Sequence, residues 1–211
     1  MSTRIVTISH AWGAGGDNIG RNVADRLGFR YVDEEIITIA AEKHGLDAAV
    51  VADVEKRRGL LARILDDMAE APMIDPGVPM VLLTPEAMGF TRREDLRALI
   101  VEAIREVAQR GNVVIVSHAA GIPLAGRDDL LRVLVTASFA TRVQRLAESA
   151  RRSKGDAEKL LKDSDAARAD YFLRFYRIER ELPTHYDLVV NTDALKPEEA
   201  TDIVAAAARI R

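Results

Sequence analysis

Two hydrophobic periods take turns along this chain. Ile5, Val6 and Ile8 form a short apolar run, and Ile19, Val23, Ala24 and Leu27 then repeat at helical spacing. Phe29–Asp33 predicts a second strand, and residues Glu34–His44 a helix with acids in its first turn and a basic end, stopped by Gly45. Leu96, Leu99, Ile100, Ala103, Ile104 and Val107 place a helix over Arg92–Arg110. Asn112–Ser117 is continuously apolar in its middle, as the centre of a parallel sheet requires. A strand at Leu130–Thr136 follows, then a helix from Ser138 or Thr141 through Arg152. Gly155 marks a break before a long polar helix from about Asp156 to Glu181, with Pro183 as its stop. Tyr186–Asp193 predicts the last strand, and Pro197–Ile210 a closing helix with proline in its first turn.

Strands alternating with helices predict an α/β fold: a doubly wound, mainly parallel five-stranded sheet flanked by helices, in one domain over residues 1–211. Ligands bind such sheets at the strands' C-terminal edge, which turns attention to the loops after residues 9, 32, 117, 136 and 191. Residues 47–90 stand apart. Val50, Val51, Val54, Leu60, Leu61, Ile64, Leu65 and Met68 suggest amphipathic helices, and Pro72, Pro76, Pro79 and Pro85 follow within a short loop-rich stretch. This insertion is either a substrate-side subdomain or the arm of a homodimer.

Composition narrows the classes. A chain of 211 residues that is 48% hydrophobic can bury a full core. A net charge of −3 offers no electrostatic case for nucleic acid or membrane surfaces. With no cysteine, thiolate metal sites, disulfides and thiol catalysis are excluded. The start, Met-Ser-Thr-Arg, runs directly into the first strand with no signal-peptide pattern, so a cytoplasmic location is the expectation.

The chemistry concentrates in Ser9-His10-Ala11-Trp12-Gly13-Ala14-Gly15-Gly16-Asp17-Asn18, a glycine-rich turn between a strand and a helix. Backbone N–H groups and the helix dipole make such a turn a phosphate site. The phosphate-loop pattern GxxxxGK(S/T) fits only in part. With Gly15 as its second glycine, Gly16 stands where the lysine belongs, His10 where the first glycine belongs, and Asp17 or Asn18 at the hydroxyl position. A plain tight turn is the alternative. Asp33, at the end of the second strand, is a helix cap first and a ligand group second. His10 and His118 both end strands; they could bind phosphate or act as an acid–base pair, or be simple polar loop residues.

Arg142, Arg145, Arg151, Arg152 and Lys154 crowd one helix end, and Asp165, Arg168, Tyr171, Phe172, Phe175 and Tyr176 share neighbouring faces of the next helix. Arginines on a lid, here about residues 151–180, can neutralise a transferred phosphoryl group. The plain alternative is a solvated helix with local pairs such as Asp165 with Arg168, and aromatic rings that only pack.

Four segments together resemble the cytidylate kinase-like family of phosphate-loop nucleotide kinases. They are Thr7-Ile-Ser with Gly13-Ala-Gly-Gly-Asp-Asn-Ile-Gly20; Tyr31-Val-Asp-Glu-Glu-Ile-Ile37; Ser164-Asp-Ala-Ala-Arg-Ala-Asp-Tyr-Phe-Leu-Arg-Phe-Tyr176; and Tyr186-Asp-Leu-Val-Val-Asn-Thr-Asp193. The resemblance implies a phosphotransferase that moves a phosphoryl group from ATP, with magnesium, to a nucleoside monophosphate or related small acceptor. It implies that Ser9, His10, Gly13, Ala14, Gly15, Gly16, Asp17 and Asn18 wrap the donor phosphates and that Asp33, His118 and Tyr171 face the acceptor. Arg142, Arg151, Arg152 and Arg168 are then the catalytic lid cations, with Asp165 orienting Arg168, and no residue set is assigned to a protein-held metal. The family commonly has an arginine at position 10 and a Gly-Arg-Gly turn where this chain reads Ser117-His118-Ala119-Ala120. Loss of the lysine contact typically costs a few kcal/mol, or roughly two to three orders of magnitude in rate. A catalytically degenerate nucleotide-binding regulator is the alternative function.

Overall fold

The computed structural model describes residues 2–45, 93–116 and 119–210. The 47–90 insertion, Ser117 and His118 lie outside the described residues. The chain divides into two compact units: residues 1–33 with 104–211, and residues 34–103.

The first unit holds a five-stranded parallel sheet. Its strands are β1 (Ile5–His10), β2 (Arg30–Val32), β3 (Val113–Val116), β4 (Leu130–Thr136) and β5 (Leu188–Asn191), in the spatial order β2-β3-β1-β4-β5. Central β1 pairs on both sides, Ile5 lying opposite Val113 and Leu130. All four residues of β3 are buried, which explains its unbroken apolar run. Along β1, β3 and β4 alternate residues (Val6 and Ile8; Val114 and Val116; Leu131, Val133 and Val135) share one core cluster. Ile19, Val23 and Ala24 of helix α1 (Gly16–Leu27) complete that core with Ala200, Val204 and Ala208 of the closing helix (Pro197–Ile210). At roughly 25 cal/mol per Å² of apolar surface, each fully buried Ile or Val contributes about 1.5–3 kcal/mol to holding these helices on the sheet.

The second unit contains helix α2 (Glu35–Lys43) and the start of α3 (Arg93–Arg110). Lys43 donates to Glu102 across these helices at 2.8 Å.

Between β4 and β5 the chain forms a helical hairpin of α4 (Phe139–Ser149) and α5 (Lys154–Tyr176). Val143 and Leu146 pack on Ala157 and Leu161. Its boundaries differ from the predicted ones, and each difference has a local cause. The break falls at residues 150–153 rather than at Gly155, because the Ser153 side chain caps α5 by accepting from Asp156 N–H at 3.1 Å. α5 stops at Tyr176 rather than Glu181, because Arg177 turns left-handed (φ 57°) and its N–H closes on the Leu173 carbonyl. Residues beyond it are thereby free to run back to the sheet. The closing helix is numbered α6.

Candidate functional site

Ser9, His10, the glycine loop, Arg142, Asp165 and Arg168 gather at the C-terminal end of β1. The loop depends on two glycines. Gly13 (φ 83°) and Gly15 (φ 84°) occupy the left-handed region that side chains disfavour. Gly15 is also the N-cap of α1, so no cap side chain occupies the helix's first turn. The first-turn N–H groups lack intrahelical partners and carry the positive end of the dipole.

The loop's carbonyl side is braced from behind. Arg142, only 7% exposed, donates to the Trp12 carbonyl and forms a two-pronged ion pair with Asp165, both contacts at 2.8 Å. Arg145 donates to the Thr192 carbonyl at 2.6 Å, to its hydroxyl at 2.9 Å and to the Gly13 carbonyl at 3.4 Å. Thr192 is buried and its hydroxyl donates to the Ala14 carbonyl at 2.9 Å. Carbonyls tied down in this way cannot turn toward an incoming anion. Trp12 is 43% exposed.

A second network lies beside the first. Arg168 grips Glu181 through Nε at 2.9 Å and Nη2 at 2.8 Å, and its Nη2 also donates to the Ser9 hydroxyl at 2.7 Å. Tyr186 donates to the same Glu181 oxygen. Burial pushes the Glu181 carboxyl upward, but the Arg168 contacts, helped by Tyr186 and Ser9, outweigh it and hold the group below the usual range. Burial and the Glu181 charge push the Tyr186 hydroxyl well up. Ser9, Tyr186, Phe172, His185 and the turn 119–122 line a small cavity of about 20 Å³, room for a single water.

At the loop's mouth His10 Nε2 lies 3.0 Å from Asp17 Oδ1. This hydrogen bond is the largest influence on Asp17 and keeps its carboxyl below the usual range.

Two expectations are corrected. Asp165 does not orient Arg168; it pairs with Arg142 instead, and Arg168 turns to Glu181. A salt bridge one turn away on the same exposed helix face is worth only about 0.2–0.5 kcal/mol, so a two-pronged partner from another element prevails. Asp33 is not the cap of α2: Glu34 holds that position without a side-chain bond, and Asp33 accepts from the Tyr31 hydroxyl at 3.2 Å.

Other predicted residues are placed elsewhere. Arg151 and Arg152 are exposed in the hairpin turn, with no ion pair among the described residues. Tyr171 is buried, edge-on to Phe175 at 4.9 Å and to Phe172 at 6.2 Å. Glu181, Arg145 and Thr192 were not foreseen as site residues. Thr192 and Tyr186 do fall within the last quoted segment, and Arg145 within the basic cluster at the helix end.

The sequence from residue 5 to residue 194 matches the cytidylate kinase-like family, which takes in every residue of the site just described. The chain belongs to that family. Among curated relatives it is similar to the cytidylate kinases of Roseiflexus castenholzii (26% identical, covering 96% of this chain and 92% of that one) and Pyrococcus horikoshii (24% identical, 96% and 87% covered). Its fold is similar to that of an uncharacterized protein from Eubacterium ventriosum, with a TM-score of 0.66 at 14% identity and 98% of each chain covered. It is also similar to a shikimate kinase from Bacteroides thetaiotaomicron, with a TM-score of 0.51 at 16% identity and 97% of each chain covered. Among the described residues no helix is long and apolar enough to cross a membrane.

Proposed function

We propose that this chain is a phosphotransferase that moves a phosphoryl group from ATP to a nucleoside monophosphate or a related small acceptor. The observation that carries the reading is the braced glycine loop. Its carbonyls are held back by Arg142, Arg145 and Thr192, and the first turn of α1 that follows has no N-cap side-chain bond. That arrangement fits the polyphosphate of a nucleotide. Family membership sets the reaction class. Magnesium bound with a nucleotide needs only one or two carboxylates besides phosphate oxygens and water. Asp17 is the carboxylate at the loop; among the described residues no group of three His, Asp or Glu side chains could hold a metal alone. When bound, the ion would draw charge from the transferred group.

Within this reading Arg142 and Asp165 position the loop. Arg168 bonds Glu181 and the Ser9 hydroxyl rather than a carbonyl, and it is the candidate for the transferred group. Arg151 and Arg152 remain candidate lid cations, and Asp33 and Tyr171 acceptor-side candidates.

Two observations favour the second reading, a nucleotide-binding regulator without turnover: Glu181 already neutralises Arg168, and position 16 is glycine. A coupled ADP-release assay across nucleoside monophosphates, run with ATP titration calorimetry, separates the readings. Turnover on any acceptor supports the enzyme. ATP binding with no turnover supports the regulator, and no ATP binding removes both.

A further inference from the structure

Glu181 brings a carboxylate to Ser9, the residue that leads into the glycine-rich turn. That carboxylate accepts from Arg168 through Nε at 2.9 Å and Nη2 at 2.8 Å, from the Ser9 hydroxyl at 3.3 Å and from the Tyr186 hydroxyl. Donors from β1, from α5 and from the approach to β5 thus converge on one small anion. The guanidinium fork matches a carboxylate and a phosphate alike. The chain fills this anion cradle with a side chain of its own.

Three features suit the contact to exchange. The pair is not sealed in the core, since the Arg168 and Glu181 side chains are 26% and 19% exposed. Glu181 also sits on a lightly held stretch, residues 177–185, which leaves α5 at the left-handed Arg177 and carries only a short 3-10 turn at Pro183–His185. Among the described residues no backbone hydrogen bond ties residues 179–184 to another element, so the Glu181 side chain supplies the tie. Finally, the charges conflict. A polyphosphate in the loop would stand beside this carboxylate, one guanidinium cannot neutralise both, and like charges at short range repel.

We infer that Glu181 is an internal competitor for a phosphate oxyanion: it occupies Arg168 in the free protein and yields that arginine when a nucleotide enters the glycine loop. This rests on the phosphotransferase reading and gives the neutralised Arg168 a place in it, as the waiting state of the site. Tyr186 holds the carboxylate in that state.

The test titrates ATP and adenosine calorimetrically into wild type, Glu181→Gln, Tyr186→Phe, Arg168→Met and the double variant Arg168→Met/Glu181→Gln. The salt is about 0.15 M, where exposed charges more than about 8 Å apart are largely screened. Glu181→Gln frees Arg168 and tightens ATP binding about tenfold, with adenosine affinity changed less than about twofold. Tyr186→Phe leaves every charge in place and only loosens the carboxylate, so ATP binding tightens about two- to fivefold. A carboxylate that acts only through space predicts no change in that variant. Without Arg168, Glu181→Gln shifts the ATP Kd by less than about twofold. In the wild type, whether or not the variants fold, ATP raises the pH at which the Glu181 carboxyl carbon titrates by NMR, because the carboxylate loses its guanidinium partner; adenosine does not. Unchanged or weaker ATP binding in folded Glu181→Gln or Tyr186→Phe, a Glu181→Gln effect that survives without Arg168, or an unmoved carboxyl titration overturns this inference alone. Failure of the wild type to bind ATP overturns it together with the phosphotransferase reading.

Discussion

Arg142→Met is the most informative perturbation of the loop's support. Methionine keeps an unbranched apolar stem beside Phe139, whose ring centroid is 5.5 Å from the guanidinium carbon, but removes every donor. Asp165 loses both 2.8 Å contacts and the Trp12 carbonyl loses its partner. Breaking a fully buried ion pair typically costs about 3–5 kcal/mol. Here Arg142's side chain is 8% exposed but Asp165's is 37% exposed. The stranded carboxylate can rehydrate, which lowers the expected cost to about 2–3 kcal/mol. For a domain of this size each kcal/mol moves Tm by roughly 2–4 °C, so a fall of about 4–12 °C is expected in a thermal melt. A double-mutant cycle with Asp165→Asn should return a coupling of about 1–3 kcal/mol. If the account is right, the same cycle with Arg168 in place of Arg142 shows almost none. A Tm loss under about 2 °C, or stronger coupling of Asp165 to Arg168, would refute the reasoning that Arg142 is a buried brace.

The two loop glycines should fail differently. Gly16→Ala drives a Cβ into the stem of His10, an overpacking expected to cost about 1–3 kcal/mol in denaturant unfolding and to weaken ATP binding. Gly15→Ala meets nothing within 4 Å and should cost only the left-handed backbone strain, about 1–2 kcal/mol. Arg151→Ala and Arg152→Ala should leave stability within about 0.5 kcal/mol, since both are exposed, so any loss of turnover in an ADP-release assay reports a lid role directly. The Glu181 carboxyl is held below its ordinary value, so its stabilising contribution is complete above the unfolded-state value, about 4.3, and disappears as pH falls through the lower folded value. Glu181→Gln should therefore flatten the acid limb of a stability–pH curve; an unchanged limb would show that this network does not govern it.

The sheet was legible because its signals are local. The apolar run over Val113–Val116, the strand–glycine–helix passage at residues 5–27 and the proline-led closing helix each state their element within a few residues. The loop's place at the end of β1 followed from that order alone. The side-chain pairings were not legible, because they join distant residues. Arg168 with Ser9 and Arg145 with Thr192 are set by how the hairpin lies on the sheet, which no periodicity encodes. Helical spacing made Asp165 and Arg168 look like partners, while the better geometry lay with Arg142 on another helix. Glu181 was hidden for a related reason. It read as the tail of a helix that a left-handed Arg177 ends early, and only that turn lets the acid return to the site. His10 showed itself as a departure from pattern, but its fit against Gly16 needed coordinates.

The proposed role of the braced glycine loop is to hold ATP for transfer of its terminal phosphoryl group. The direct measurement is phosphorus NMR of ATP, magnesium and a panel of nucleoside monophosphates incubated with the wild-type protein. The ATP γ-phosphorus signal is expected to fall as ADP and a new nucleoside diphosphate appear with at least one acceptor, and Arg168→Ala is expected to slow that conversion by orders of magnitude. ATP left unconverted with every acceptor would contradict it.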